Sequence, residues 1–175
     1  MRTMLRLLAC ALFVSTTGAL RAGEETIPLD KVPKAVLDTV KKRFPKAELT
    51  EAAKETDGDK VSYEVTIKDG ESKIDVTLTP EGVLTMIETV IATKELPKAV
   101  TEAVEAKYPK AAIKLAETVV KVTDGKEKLA YYEVVVDTAD KKTFELQISE
   151  EGKILMTEEK KEEKKEDKKD KKDKE

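Results

Sequence analysis

The stretch Val32-Pro33-Lys34-Ala35-Val36 decides the fold, because it returns sixty-four positions later as Leu96-Pro97-Lys98-Ala99-Val100. Each copy leads into a short helical pattern that ends on an aromatic residue followed by Pro-Lys-Ala, at 44–47 in the first copy and at 108–111 in the second. Self-similarity at a fixed spacing is the signature of a duplicated structural unit. The sequence therefore predicts two tandem repeats.

Each copy of the motif predicts a short amphipathic helix. The first helix is expected to begin at Pro33, because the missing N–H of proline costs nothing at the first helical position. Pro45 and Pro109 end the two helical patterns. Apolar residues recur at i, i+4 and i+8 in both copies: Val36, Val40 and Phe44, then Val100, Val104 and Tyr108. Helices of about three turns are not stable alone in water, so each is expected to pack on a sheet.

Downstream of each helix, apolar and polar residues alternate, which is typical of strands with one face in contact with water. In the first repeat, a strand at 47–55 precedes strands around Tyr63 and Val76, and a last strand runs from Val83 toward Ile91. The second repeat follows the same order. The predicted fold class is α+β, with two tandem repeats that each pack a short helix on a roughly four-stranded antiparallel meander. The sequence leaves open whether the repeats share one sheet or form two lobes.

The N-terminal segment predicts export. Residues 1–22 carry arginines ahead of a short apolar run, which is the pattern of a Sec-type signal peptide of a periplasmic or secreted protein. A lipoprotein is the less favoured alternative, because only three apolar residues separate Arg6 from Cys10. The predicted repeats occupy 23–94 and 95–157. After removal of the signal peptide, we expect no transmembrane segment.

Residues 158–175 form a charged tail with nine acidic residues, nine lysines and no apolar residue. Such a segment cannot bury a hydrophobic core, and it is predicted to be disordered. A solvated appendage is the simplest interpretation of the tail. Tethering to an anionic envelope polymer and weak cation binding are the alternatives.

The residue types exclude several classes of function. The chain has no His, and its one Cys falls within the predicted signal peptide, so Ser-His and Cys-His nucleophiles and imidazole or thiolate metal sites are excluded. The net charge is −3, so the chain does not have the excess of basic residues that is typical of a nucleic-acid-binding protein. The many carboxylates lie at outward-facing positions or in turns, where we expect no raised pKa. The sequence therefore predicts no enzyme activity, no cofactor and no metal site.

One strand differs between the repeats at its outward-facing positions. Leu129, Tyr131 and Val135 lie there in the second repeat, where the first repeat has polar residues. An apolar patch rimmed by charge is typical of a partner-binding surface. Burial within the molecule or in a homodimer is the favoured alternative, because single apolar residues at surface positions are common.

Acidic turns are the second candidate surface for a partner. Asp57 and Asp59 flank Gly58, and Asp124 precedes Gly125. The first turn has the spaced acids of a calcium loop but lacks the remaining ligands of an EF-hand, so both are expected to be hairpin turns.

The order of these motifs resembles that of PepSY-like domains, which are also described as resembling beta-lactamase-inhibitor proteins. The shared order is the Pro-Lys-Ala-Val helix, the aromatic-Pro-x-Ala stop, a hairpin with Asp-Gly turns, the Tyr-Glu-Val strands at 63–65 and 132–134, and a final strand after Glu-Gly. The resemblance covers about residues 27–157. It implies an exported bacterial protein with a helix on an antiparallel sheet in each repeat and with no catalytic residues. The family name suggests inhibition of peptidases or beta-lactamases.

Two functions remain open at this point. The first is an exported, non-enzymatic binding module that docks a secreted or periplasmic hydrolase of peptidase or beta-lactamase type. It would use either the outward-facing apolar residues or the acidic turns. The alternative is a structural module of the cell envelope that binds cations or a small ligand.

Overall fold

The computed structural model of the protein describes residues 24–160, so the predicted signal peptide and residues 161–175 of the predicted tail lie outside this range. The strands are β1 (Glu24–Thr26), β2 (Glu48–Asp57), β3 (Lys60–Asp69), β4 (Ser72–Leu78), β5 (Leu84–Val90), β6 (Ala112–Thr123), β7 (Lys126–Asp137), β8 (Thr143–Ile148) and β9 (Ile154–Lys160). The helices are α1 (Lys34–Arg43) and α2 (Lys98–Lys107). A short 3₁₀ helix precedes each of them, at Leu29–Lys31 and Thr93–Glu95.

All strands of the described range form one antiparallel sheet in the order β1 to β9. Each strand pairs with its neighbour in sequence; short turns join most of these pairs, whereas the segments that contain α1 and α2 connect β1 to β2 and β5 to β6. The two halves join where β5 pairs with β6, with Glu88 opposite Val119. The α+β class is confirmed, and the sheet is continuous, which the sequence had left open. Strand β1, which pairs with β2 from Glu24 opposite Glu55, was not predicted.

Both helices pack on the same face of the sheet. Val36 and Val40 of α1 are buried, as are Val100 and Val104 of α2. Burying such a side chain fully contributes about 1.5–3 kcal/mol, which compensates for the low stability of isolated short helices. The sheet residues packed with α1 include Val65, Ile67, Val76 and Leu78, and those packed with α2 include Val134, Val136, Leu146 and Ile148.

Two equivalent glycines fix the starts of the helices on the sheet. Gly82, before β5, and Gly152, before β9, have φ of +82° and +83°. A Cβ atom at either position would lie 2.5 Å from the carbonyl oxygen of Ala35 or Ala99, respectively. The hydroxyl of Thr39 also donates a hydrogen bond of 2.9 Å to the carbonyl of Gly82. Only glycine permits both this backbone conformation and this close approach.

The last strand extends beyond the expected end of the second repeat. Glu158, Glu159 and Lys160 belong to β9, although the sequence placed them in the charged tail. They pair with Glu145, Phe144 and Thr143 of β8, so backbone hydrogen bonding overrides their low strand propensity. Within residues 24–160, neither helix has the length and apolar character needed to cross a membrane.

Candidate functional site

The predicted apolar surface around Tyr131 and Val135 is not exposed. Both side chains lie on the sheet face opposite α1 and α2, and both are buried. Tyr131 packs against Met86 of β5 and Val119 of β6. At these two positions the structure shows burial, which the sequence favoured over an exposed apolar patch.

Leu129 lies on the other face of the sheet. Val119 pairs with Tyr131 and Val120 pairs with Leu129, so Ala130 is an extra residue on β7. An extra residue of this kind is a β-bulge, which reverses the alternation of side chains along a strand. Leu129 consequently packs with the hydrophobic cluster under α2. The structure separates it from Tyr131 and Val135, with which the sequence had grouped it.

The acidic turns are exposed at one end of the sheet. Asp57 and Asp59 lie at the β2–β3 hairpin, and Asp124 lies at the β6–β7 hairpin. Asp124 and Gly125 both have positive φ, as a tight two-residue hairpin turn requires. In a meander of consecutive antiparallel strands, alternate turns point to the same end, so both hairpins project there.

The face opposite the helices carries a row of buried carboxylates, which we call the acidic belt. The sequence predicted that these outward-facing acids would be in water, and this is wrong, because the side chains are between 0% and 6% exposed. Each of the six strands from β3 to β8 contributes one acid: Glu64, Asp75, Glu88, Glu117, Glu133 and Glu145.

The strand register places carboxyl groups directly opposite one another in the belt. Three cross-strand pairs have a carboxylate on both sides: Asp75 with Glu88, Glu117 with Glu133, and Glu145 with Glu158 of β9. Like charges that face each other across strands destabilise a sheet. The belt is thus a feature of this fold that its stability alone does not explain.

Two lysines reach the belt from its margins. Lys73 Nζ lies 3.1 Å from Asp75 Oδ2, and Lys160 Nζ lies 2.6 Å from Glu145 Oε2. The lysine side chains are 33% and 30% exposed, whereas their carboxylate partners are 3% and 0% exposed. The hydroxyl of Thr66 also donates a hydrogen bond of 2.6 Å to Asp75. The flanks of the belt are therefore partly neutralised.

The centre of the belt contains polar atoms without partners. Within residues 24–160, both carboxylate oxygens of Glu133 and Oε1 of Glu88 are buried without a hydrogen bond, and so are both oxygens of Glu145 on the flank, although Lys160 Nζ lies close to its Oε2. Gln147 lies directly opposite Glu133 on β8, and its Nε2 is also buried without a hydrogen bond. Buried polar groups are normally hydrogen-bonded, and unpaired ones cost free energy. A ligand that donates hydrogen bonds would satisfy the carboxylates.

Burial raises the pKa values of the central carboxylates. It raises the pKa of Glu88 to about 8, with the charges of Glu117 and Glu145 adding to the effect. Burial and, secondarily, Asp75 raise the pKa of Glu117 to about 7. Burial and then the charge of Glu145 raise the pKa of Glu133 to about 9. The expectation that no carboxyl pKa would be raised is wrong, because water is removed from this face.

Metal ligation is not apparent in the part of the chain that the structure describes. Residues 24–160 contain no group of three or more acidic, histidine or cysteine side chains arranged to hold a metal ion.

The family profile described as "Putative beta-lactamase-inhibitor-like, PepSY-like" matches residues 20–86 and 61–156. The chain belongs to this PepSY-like family. The two overlapping matches agree with the duplication seen in the sheet, where each helix is followed by four strands. No curated protein matches the PepSY-like chain.

Solved structures share the fold. A BLIP-like protein from Bacteroides fragilis is 21% identical, with a TM-score of 0.54, over 73% of this chain and 86% of that one. A protein from Bacteroides eggerthii, described as one of the "putative periplasmic proteins", is 18% identical, with a TM-score of 0.60, over 73% and 88%. A DUF2874 family protein from Bacteroides uniformis is 18% identical, with a TM-score of 0.59, over 73% and 88%. At these identities the likeness establishes the fold alone.

Proposed function

We propose that this PepSY-like chain is an exported, non-enzymatic binding module that docks a secreted or periplasmic hydrolase of peptidase or beta-lactamase type. One observation carries the proposal: both helices pack on one face of the sheet, while the other face bears the acidic belt and ends in two exposed acidic hairpins. The inhibitor-like description of the family and the BLIP-like description of a structural neighbour support it.

The hairpin tips provide the accessible contacts in this proposal. Asp57, Asp59 and Asp124 are exposed, and tight turns hold them in place at the ends of long strands. A pre-organised loop loses little conformational entropy when it binds, and acidic tips attract a positively charged partner surface. Tyr131 and Val135 lie on the same sheet face as the belt and support its shape from within. Leu129, in the helix-side core, has no part in docking.

Export is part of the proposal, and two observations support it. Residues 1–22 have the pattern of a signal peptide, and a protein with the same fold is described as periplasmic. A secreted or periplasmic hydrolase would be encountered in that compartment.

The test uses immobilised residues 23–175 and a panel of purified secreted peptidases and beta-lactamases, together with proteins captured from a bacterial envelope extract. We expect one-to-one binding of a hydrolase and a decrease in its activity. The triple variant Asp57→Lys/Asp59→Lys/Asp124→Lys should bind at least about tenfold more weakly, since charges at an interface guide association.

The matched control is Asp38→Lys, because Asp38 is exposed on α1, on the other side of the sheet. This variant should bind within about twofold of the unchanged chain. Binding to no hydrolase, or equal binding by the triple variant and the control, would contradict the proposal. Retention of cations or envelope polymer alone would instead favour the envelope-module alternative.

A further inference from the structure

We propose that the centre of the acidic belt, formed by Glu88, Glu117 and Glu133, accepts arginine or lysine side chains of the partner protein. The inference rests on the proposed function and adds the chemistry of the docked partner. The proposed ligand of this site is therefore a segment of the partner protein whose basic side chains contact strands β5 to β7.

The unpartnered atoms in the centre of the belt point to a hydrogen-bond donor. Glu133 is 1% exposed, and neither of its carboxylate oxygens accepts a hydrogen bond from the part of the chain that the structure describes. Glu88 lies on β5, two strands away from β7, and its Oε1 is likewise buried without a hydrogen bond from the described residues. A guanidinium or ammonium group supplies several N–H donors and a positive charge, which are the two things that these carboxylates lack.

The flanks of the belt show that a basic side chain can reach a buried carboxylate from the solvent. Lys73 and Lys160 keep about a third of their side chains exposed while they contact the buried Asp75 and Glu145. The long apolar stem of lysine permits this arrangement. Glu88, Glu117 and Glu133 lie on the strands between these two ion pairs. A partner's lysine or arginine at the centre would repeat an interaction that the chain already makes on either side.

Apolar side chains beside the central carboxylates fit the stem of such a residue. Met86, Val119 and Tyr131 form a small cluster on the same face, and Val119 lies directly opposite Glu88. Lys121 Nζ lies 6.0 Å from the centre of the Tyr131 ring, so this cluster already has one cation near its aromatic face. The cluster and the carboxylates together match the amphipathic shape of arginine and lysine.

The strand register also favours the binding of a positively charged group. Glu117 faces Glu133, and Asp75 faces Glu88, so ionisation of both members of either pair would place two negative charges opposite one another. A bound basic group would offset this repulsion. Because the central carboxylates must be ionised to pair with a cation, binding should release protons and should become tighter as pH rises.

The test measures binding of a synthetic peptide, Gly-Arg-Leu-Arg-Gly, to residues 23–175 by calorimetry and by NMR of glutamate carboxyl carbons. The comparison peptide has citrulline in place of both arginines, because citrulline has nearly the same shape without the charge. We expect the arginine peptide to shift the carboxyl signals of Glu88, Glu117 and Glu133, and the citrulline peptide to leave them unchanged. Its affinity should rise at least about tenfold between pH 6.5 and pH 8.5, since each displaced proton contributes up to tenfold per pH unit.

Variants test the position of the site. Glu133→Gln preserves shape and should weaken arginine-peptide binding about tenfold at pH 8.5, the loss of one charge-assisted pair. Glu102→Gln is the matched control, since Glu102 is an exposed residue of α2 on the other side of the sheet, and it should have no effect. Circular dichroism at the same pH verifies that both variants remain folded.

Several results would overturn the inference. These are equal binding of the two peptides, unchanged affinity in Glu133→Gln, or a carboxyl response to Ca²⁺ at matched ionic strength but not to the arginine peptide. Peptide binding that appears only when the chain is truncated after Lys160 would identify the charged tail as the occupant and would also overturn it. A hydrolase that binds through the hairpin tips while the peptides do not bind would leave the proposed function intact. Failure of both assays would remove both proposals.

Discussion

Glu117 on β6 lies directly opposite Glu133 on β7, and both carboxyl groups are buried. Burial raises their pKa values to about 7 and about 9, whereas in the unfolded chain both would titrate near 4.5. The folded state therefore binds more protons than the unfolded state between these limits. As far as these groups are concerned, stability is highest below pH 4.5, falls as pH rises above that value, and levels off above pH 7 for Glu117 and above pH 9 for Glu133. We expect the free energy of unfolding to be larger at pH 6 than at pH 9 by on the order of 5 kcal/mol.

Urea denaturation at intervals of one pH unit measures this dependence. The double variant Glu117→Gln/Glu133→Gln should flatten the curve between pH 6 and pH 9, because two of the groups responsible are removed. The exposed acids Glu81, Asp140 and Glu151 have lowered pKa values, so their contribution to stability decreases as pH falls. This effect lies at more acidic pH than the range from 6 to 9. Stability that is constant or increases from pH 6 to pH 9 would show that the belt is not protonated in the folded protein.

Substitution of Gly82 or Gly152 by alanine should destabilise the sheet at the start of each helix. The new Cβ would lie 2.5 Å from a helix carbonyl oxygen, and the backbone has positive φ, so both strain and displacement are expected. We predict a loss of about 2–4 kcal/mol for each variant, measured by thermal and urea denaturation. Gly58→Ala is the control: its φ is +59°, but no atom lies within 4 Å of the new Cβ, so the loss should be nearer 1 kcal/mol. Similar losses at Gly58 and Gly82 would exclude the steric explanation.

An ion pair links the two repeats across the sheet. Arg43, the last residue of α1, donates to Glu127 at the start of β7, with 3.1 Å between Nη2 and Oε1. Both side chains are almost half exposed, so water and salt screen the pair. A double-mutant cycle with Arg43→Ala and Glu127→Ala should give a coupling free energy of about 0.2–1 kcal/mol that decreases in 1 M salt. A coupling that is unaffected by salt would indicate a contact other than the ion pair.

The elements that depend on local sequence were predictable. Both helices, their proline boundaries and the Asp-Gly turns follow from residue spacing, and the structure places α1 and α2 where the repeated motif indicated. The site was less predictable, because alternation distinguishes the two faces of a strand but does not show whether the polar face is covered. The acids of the belt all lie at positions that the sequence pattern assigns to the outward face. The only sign of the belt in the sequence is that an acid recurs on each successive strand. The bulge at Ala130, which turns Leu129 to the helix side, depends on pairing with β6 and has no local signature.

Tyr131 provides a test of whether the belt face is closed in solution. Burial raises the pKa of the Tyr131 phenol, and the charges of Glu133, Glu88 and Glu145 add to the effect, so Tyr131→Glu would place a further carboxyl group in a buried, acidic environment. Because the site is buried, we expect this variant to lose on the order of 3–5 kcal/mol of stability at pH 8, and less at pH 5, where the new acid can remain protonated. Tyr131→Phe should change stability by at most about 1 kcal/mol. Lys128→Glu, at an exposed position of the same strand, is the charge control and should be nearly neutral. Equal stability of Tyr131→Glu and Lys128→Glu would mean that water reaches the Tyr131 ring.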